Sequence, residues 1–276
     1  MSTRLHHAAN PPEMTRSFWA NRSIIWKMAV REVIGRYRGS IMGLAWSFFN
    51  PILLLVVYTF IFGVVFQSRW GNTEPHNTGD FAIIIFSGMI VHGLFAECFN
   101  RAPTLITGNP NYVKKIVFPL EILPWISMGA ALFHTGISWL VLLVAELLLK
   151  GSIPLTTVLF PVVLLPLIIL TMGFSWFLAA LGAYLRDISQ ITGIITTVLM
   201  FLSPMFYPIT AIPEAYRPLL YINPLTLIIE ESREVLIWGN LPSITQLGSY
   251  YLVSVLIAWL GFWWFQKTRK GFADVL

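Results

Sequence analysis

Few side chains in this sequence have the type and spacing for covalent or acid–base chemistry. The five histidines, His6, His7, His76, His92 and His134, are scattered, and only the adjacent His6–His7 pair has a spacing that suits a metal. Cys98 is the one cysteine, which excludes an internal disulfide and a cysteine-based zinc site. Gly173-Phe174-Ser175 begins like a nucleophile elbow, but Phe177 stands where the second glycine belongs, so Ser175 reads as a small residue at a helix contact. Neither G-x-x-x-x-G-K-[ST] nor H-E-x-x-H occurs. The sequence therefore predicts no catalytic residue, no metal site and no cofactor bound by the chain itself.

What remains are charges in apolar surroundings. Glu97, Arg101 and Glu146 lie within or near long hydrophobic runs, and ionisable residues in a membrane mark functional sites by default. Glu97 and Arg101 stand at i, i+4 in the favourable order and are expected to pair along one helix. Arg101 is close enough to a membrane edge to snorkel, and Glu146 falls near the opposite edge. No carboxylate sits at the depth a proton-driven carrier needs.

The elements that must position these groups follow from composition. Hydrophobic residues make up 56% of the 276 and charged residues 11%, against roughly 25% charged in an ordinary soluble domain. That excludes a water-soluble globule, which could not cover its surface, and a disordered chain. Nucleic acid is excluded as a partner, because the 18 Lys and Arg residues flank apolar runs and form no single basic face.

A helical span needs about 20 apolar residues. Six runs qualify or nearly do: 43–66, 81–105, 118–149, 155–185, 191–206 and 247–265. The expected fold is an all-α integral membrane protein with six transmembrane helices. A tail occupies residues 1–16, the membrane unit 17–266 and a second tail 267–276. Pro119 and Pro124 in the third run, and Pro161 and Pro166 in the fourth, are expected kink sites. With six spans, 14 of the 18 basic residues fall on the side that carries both termini, which the positive-inside rule makes cytoplasmic.

Two segments do not suit a plain bundle. In 17–38, Trp19, Trp26, Val30, Val33 and Tyr37 share a narrow arc at 100° per residue, beside a polar face with Lys27, Arg31 and Arg38. This predicts an interfacial helix, serving either as an anchor for the first span or as a docking surface for a cytoplasmic partner. The 203–242 segment holds six of the 17 prolines yet stays apolar. It is too broken to span and too apolar for a free loop. A re-entrant pair of short helices fits, with Asn223-Pro224 as the turn and Glu230, Glu231 and Glu234 toward the outer water.

Four stretches, in order, resemble the membrane subunit of bacterial polysaccharide exporters of the ATP-binding-cassette superfamily. Residues 31–46, from Arg31-Glu32-Val33-Ile34-Gly35-Arg36-Tyr37-Arg38 to Gly43-Leu44-Ala45-Trp46, with Asn50-Pro51 beyond, resemble the family's R-x-x-x-x-R-Y-[KR]-x-S-x-L-G-x-x-W…N-P stretch, with Met42 at the Leu position. Asn109 to Pro124, with Lys114-Lys115 and Phe118-Pro119-Leu120-Glu121, is the second. Arg186-Asp187 is the third, and Ser203-Pro204-Met205-Phe206-Tyr207-Pro208 with Asn223-Pro224 is the fourth. The resemblance covers about residues 20–270.

It implies a homodimeric channel in the bacterial inner membrane, two copies of a separate cytoplasmic ATPase that holds ATP and Mg, and a polyprenyl-pyrophosphate-linked polysaccharide moving outward. It implies ATPase contacts at Trp26, Arg31, Asn109, Lys114, Lys115, Arg186 and Asp187, and an outer gate including Pro204, Pro208, Asn223 and Pro224. For such a substrate, Arg36 and Arg38 suit a pyrophosphate head group, or equally the head groups of anionic lipids. Tyr58, Phe62 and Phe66 form an i, i+4, i+8 stripe, and Phe201, Phe206 and Tyr207 cluster after the fifth run. Aromatic faces stack on sugars without fixing a register; the same residues also serve as lipid or helix contacts. The alternatives are export of a smaller lipid or drug, a membrane-embedded transferase, and a secondary carrier.

Topology is checked by single-cysteine labelling on a Cys98→Ser background. Cysteines at Thr73 and Glu214 are expected to react with an impermeant reagent from outside, and one at Asn111 is not; the reverse pattern would sink the assignment.

Overall fold

The structure is a computed structural model that describes residues 11–65, 79–114 and 118–275. Among these residues there is no strand. The helices are α1 (Pro11–Arg36), α2 (Trp46–Tyr58, continued by a wider-wound turn Thr59–Val65), α3 (Asp80–Arg101), α4 (Pro110–Lys114), α5 (Leu123–Lys150) and α6 (Phe160–Tyr184). They continue with α7 (Ile188–Phe201), α8 (Arg217–Leu220), α9 (Pro224–Arg233, extended by Glu234–Trp238), α10 (Ile244–Thr268) and α11 (Phe272–Val275).

Among the described residues, five helical segments are long and apolar enough to cross a membrane: Gly43–Phe62, Asp80–Thr104, Leu120–Lys150, Leu155–Tyr184 and Ile244–Val275. The fifth expected run is shorter. Helix α7 has 14 residues, so it rises about 21 Å against a hydrocarbon core of about 30 Å.

Proline placement corrects one expectation. Pro119 precedes α5, and Pro124 and Pro161 occupy the first turns of α5 and α6. There the missing N–H has no helical partner to lose, so these prolines start helices and do not kink them. Pro166 is inside α6, and Pro51 inside α2. Gly151 ends α5 in the left-handed region at φ 75°, a conformation a side chain would strain.

Helix α3 is the central post. Phe81 through Gly88 are buried without interruption, and α5, α6, α7 and α9 pack around it. Helices α6 and α10 cross most intimately. A Cβ on Gly173 would lie 2.6 Å from the Ile257 carbonyl oxygen, and one on Gly261 would run into the Gly173 backbone. In hydrocarbon no hydrophobic force drives helices together, so close backbone approach at small residues supplies the association by dispersion. Ser175 is buried beside this crossing, as a packing residue should be.

Helix α1 is three-sided. Ser17, Ile25, Ala29 and Val33 are buried, with α5 as the main neighbour. Trp19 and Trp26 are mostly exposed at 63% and 72%. Of the predicted apolar arc only Val33 is buried, so the arc is not the packing face. At 100° per residue the tryptophans lie about a third of a turn from the buried stripe, with Lys27 and Arg31 beyond them. One face thus grips the bundle, one carries interfacial tryptophan and one carries positive charge, the pattern of a helix lying at a membrane surface.

Gly261→Val is expected to abolish the α6–α10 crossing at a cost of about 3 kcal/mol, because the colliding atoms are backbone and cannot rotate away. Melting of the purified protein measures this; Gly193→Ala, with nothing within 4 Å of its added methyl, should match the parent.

Candidate functional site

At the α1 end of the bundle, two identical E-x-x-x-R patterns meet. Glu32 and Arg36 on α1 face Arg101 and Glu97 on α3. The helices run antiparallel here, so Glu32 pairs with Arg101 and Arg36 with Glu97. The expected Glu97–Arg101 pair along α3 is therefore corrected: each residue instead bonds outward to α1. His134 of α5 joins the group, its Nδ1 3.1 Å from the Glu97 carboxylate and its Nε2 3.2 Å from the Tyr37 hydroxyl. Burial pushes the Glu32 carboxyl above the usual carboxylate range, while the Arg101 charge beside it pulls in the opposite direction. The doubled spacing was visible in the sequence; the antiparallel pairing that makes it significant was not.

Three of the four, Glu32, Arg36 and Arg101, line a cavity of about 470 Å³ together with Arg31, Asn109 and Leu123 among others. Arg31 and Asn109, predicted from separate stretches, thus share one wall. Arg31 also donates to the Tyr112 hydroxyl of α4 at 3.1 Å, tying the interfacial helix to the segment that carries Lys114. Lys114 and Trp26 are exposed. Arg186 and Asp187 are exposed on the α6–α7 turn and do not line this cavity. Arg38 is exposed, with no ion pair among the described residues, whereas Arg36 is engaged by Glu97. Lys115 lies outside the described residues.

Glu121 was missed by sequence reasoning as a hub. Its carboxylate accepts from Ser17 of α1 at 3.1 Å and from Arg269 after α10 at 2.6 Å, and its carbonyl accepts from the buried Trp176 indole at 2.9 Å. One residue at the start of α5 thus links α1, α6 and the C-terminal segment.

At the other end, the predicted aromatics come together. Tyr58 and Phe62 have ring centroids 6.3 Å apart, Phe62 stacks on Phe206 at 6.2 Å, and Phe206 reaches Phe201 at 6.1 Å. The Tyr207 hydroxyl donates to the Phe201 carbonyl at 3.0 Å. Residues far apart in the chain therefore make one aromatic run from α2 to the end of α7. Phe66 lies outside the described residues. Between the two ends, α3 leaves one stripe accessible: Met89, His92, Gly93, Ala96, Glu97 and Asn100, at helical spacing along one side. Helix α7 packs along α3 at this level, its Thr196 bonding both His92 and Asn100 at 3.1 Å.

The 203–242 segment forms short helices, with the turn at Asn223-Pro224 as expected. Asn223 caps α9, its Oδ1 accepting from the Leu225 N–H at 2.9 Å, and Pro224 takes the first helical position. Pro204 is buried, and Pro208 precedes a 3-10 turn. The three glutamates each have a partner nearby in the chain, and only Glu231 is buried. Glu230 pairs with Arg233 at 2.8 Å, Glu231 is buried and accepts from the Ser243 N–H at 2.9 Å, and Glu234 accepts from Asn240. Arg233, one of the four basic residues that the charge count assigns to the outer side, is 1% exposed. No group of His, Cys, Asp or Glu among the described residues could hold a metal.

An all-helical bundle with several membrane-length apolar helices around a central post, a half-accessible stripe along that post and an aromatic run at one end fits a membrane transport subunit. The profile of the ABC-2 type transporter family matches residues 24–237, and the chain belongs to that family. Similar proteins include the O-antigen export system permease protein RfbA of Myxococcus xanthus, 27% identical over 263 residues covering 95% of this chain and 98% of that protein. The RfbA of Klebsiella pneumoniae is 24% identical over 87% of this chain and 90% of its own length. The polysialic acid transport protein KpsM of Escherichia coli is 25% identical over 88% and 94%.

The charge quartet is tested by exchange. Arg101→Glu alone places like charges opposite Glu32 and should lower stability by about 1–2 kcal/mol, modest because both pairs are partly exposed. Adding Glu32→Arg should recover most of the loss in the melting temperature; no recovery would mean the residues do not pair.

Proposed function

We propose that this chain is the membrane subunit of an ATP-driven exporter that carries a lipid-linked polysaccharide outward across a bacterial inner membrane. Two copies form the pathway, both termini are cytoplasmic, and a separate ATPase dimer supplies hydrolysis. The names of the full-length relatives support this reading. The observation that carries it is the aromatic run Tyr58, Phe62, Phe206 and Phe201, together with the half-accessible stripe of α3 that bears His92, Glu97 and Asn100.

A long glycan must slide without stalling. Ring faces bind sugars by dispersion and desolvation without demanding one hydrogen-bond pattern, so successive sugars meet nearly equal energies. Such a closure also narrows a pore without burying charge. Six membrane crossings, with that of α7 completed by the turn beyond it, and a re-entrant 203–242 segment belong to the same proposal.

At the cytoplasmic end, the ATPase docks on the exposed faces around Trp26, Arg31, Asn109 and Lys114, with Lys115, Arg186 and Asp187 extending the surface. The Arg31–Tyr112 bond makes α1 and α4 move together, so a push on either reaches α3 through the charge quartet. A pyrophosphate head group would meet Arg38 first, since Arg36 enters only by releasing Glu97. Pro204, Pro208, Asn223 and Pro224 shape the outer gate.

The reading is tested in inverted vesicles holding the chain with its ATPase and a polyprenyl-linked glycan. Phe62→Ala and Phe206→Ala should each slow ATP-dependent glycan uptake roughly two- to tenfold, the range of one aromatic contact of about 0.5–1.5 kcal/mol. Lys114→Glu should leave ATP hydrolysis running while uptake falls. Transport of a short phospholipid with no transport of the glycan would overturn the polysaccharide reading.

A further inference from the structure

The interior of the outer segment holds a charge that neither the pathway nor the coupling surface uses. Arg233 is among the largest fully buried side chains in the protein. Taking a guanidinium out of water is costly, and the cost is offset only when its donors are well matched. Here they are. Nη1 donates to the Pro204 carbonyl at 2.6 Å and to Glu230 at 2.8 Å, Nη2 to the Met205 carbonyl at 3.0 Å, and Nε to the Ile84 carbonyl of α3 at 3.3 Å.

Two of those acceptors belong to the non-helical turn that follows α7. From Leu202 to Tyr207 the backbone is not helical, so no continued helix supplies N–H donors to the Pro204 and Met205 carbonyls. The arginine fork takes the place of those donors.

The slot is shaped for this side chain. A Cβ on Gly88 of α3 would come within 3.3 Å of both Arg233 Nη2 and Met205 Cγ, and 3.4 Å from Ile229 Cγ2. The residue after Met205 is Phe206, which stacks on Phe62. A single peptide unit therefore separates the guanidinium's grip from the aromatic closure.

We infer that Arg233 is a positioning residue for that closure: by clamping the Pro204 and Met205 carbonyls against α3, it sets where Phe206 stands opposite Phe62. The inference rests on the reading of the aromatic run as the outer constriction, but the placement itself is measurable without transport. The planar fork is the necessary feature. A lysine keeps the charge beside Glu230 but cannot donate along two directions of a rigid plane to adjacent carbonyls.

The test uses the complex with its ATPase, on a Cys98→Ser background with Phe62→Cys and Phe206→Cys. A short bifunctional thiol reagent reads the separation of the two positions. With Arg233 intact the pair is expected to crosslink efficiently. Arg233→Lys should lower the yield at least about fivefold while the amount of assembled complex is unchanged, because one ammonium cannot replace the fork. Crosslinking at the parental yield would overturn the inference.

Should Arg233→Lys fail to assemble, Gly88→Ala presses a methyl on the same guanidinium with all charges kept. It should lower the yield at least about twofold, the neighbours having to give by a few tenths of an ångström; an unchanged yield there also overturns the inference. Glycan uptake by Arg233→Lys without the cysteines separates the two readings. Lost crosslinking with parental uptake leaves Arg233 as the positioning residue and removes the constriction. Parental crosslinking with slowed uptake in Phe206→Ala does the reverse.

Discussion

A backbone N–H or C=O in hydrocarbon has no water to bond, and the rest of this structure depends on that constraint. It makes every crossing segment helical, which is why the described residues contain no strand. It also decides what happens where helix stops. After Phe201 the chain turns through two prolines, and the carbonyls exposed there are taken by a buried arginine. At Asn223 the chain restarts with a side-chain cap and a proline whose lack of an N–H costs nothing at that position. Irregular backbone is tolerated at this end because these loose groups have assigned partners.

Architecture was largely legible in the sequence, because it follows from run length and composition. The apolar runs, the interfacial helix, the broken outer segment and the Asn223-Pro224 turn all have local signatures. Pairing was much less legible. Glu97 and Arg101 look like a pair along one helix, since i, i+4 is all that a sequence displays; their real partners on α1 are some 60 residues or more away. Arg233 looks like a surface charge for the same reason: burial is a tertiary property. The prolines at the starts of α5 and α6 look like kinks because a kink and a helix start differ only by where the first hydrogen bond forms. The aromatics of α2 and α7 are each visible as candidates, but only folding brings Phe62 against Phe206.

The two ends of the molecule use different physics suited to different tasks. The α1 end is held by ion pairs that are partly exposed, directional and exchangeable, and individually cheap to break. Glu121 adds a further polar junction among α1, α6 and the segment after α10. The opposite end relies on ring contacts and a desolvated clamp. These resist displacement until a whole element moves. Between them, α6 and α10 cross closely at glycines, while α2 packs on α5 and α3 and α7 mainly on α3.

The length of α7 carries a consequence for the surrounding lipid. A helix of 14 residues is shorter than the hydrocarbon is thick, while α5 and α6, with 28 and 25 residues, are not. On the proposal that α7 makes the sixth crossing, the bilayer around one chain is asked for two thicknesses, and each ångström of mismatch costs a fraction of a kcal/mol. The strain is relieved by local thinning beside α7 or by covering its end with protein. Either way, on that proposal acyl-chain length and bilayer stiffness become a mechanical load on the element that ends in Phe201.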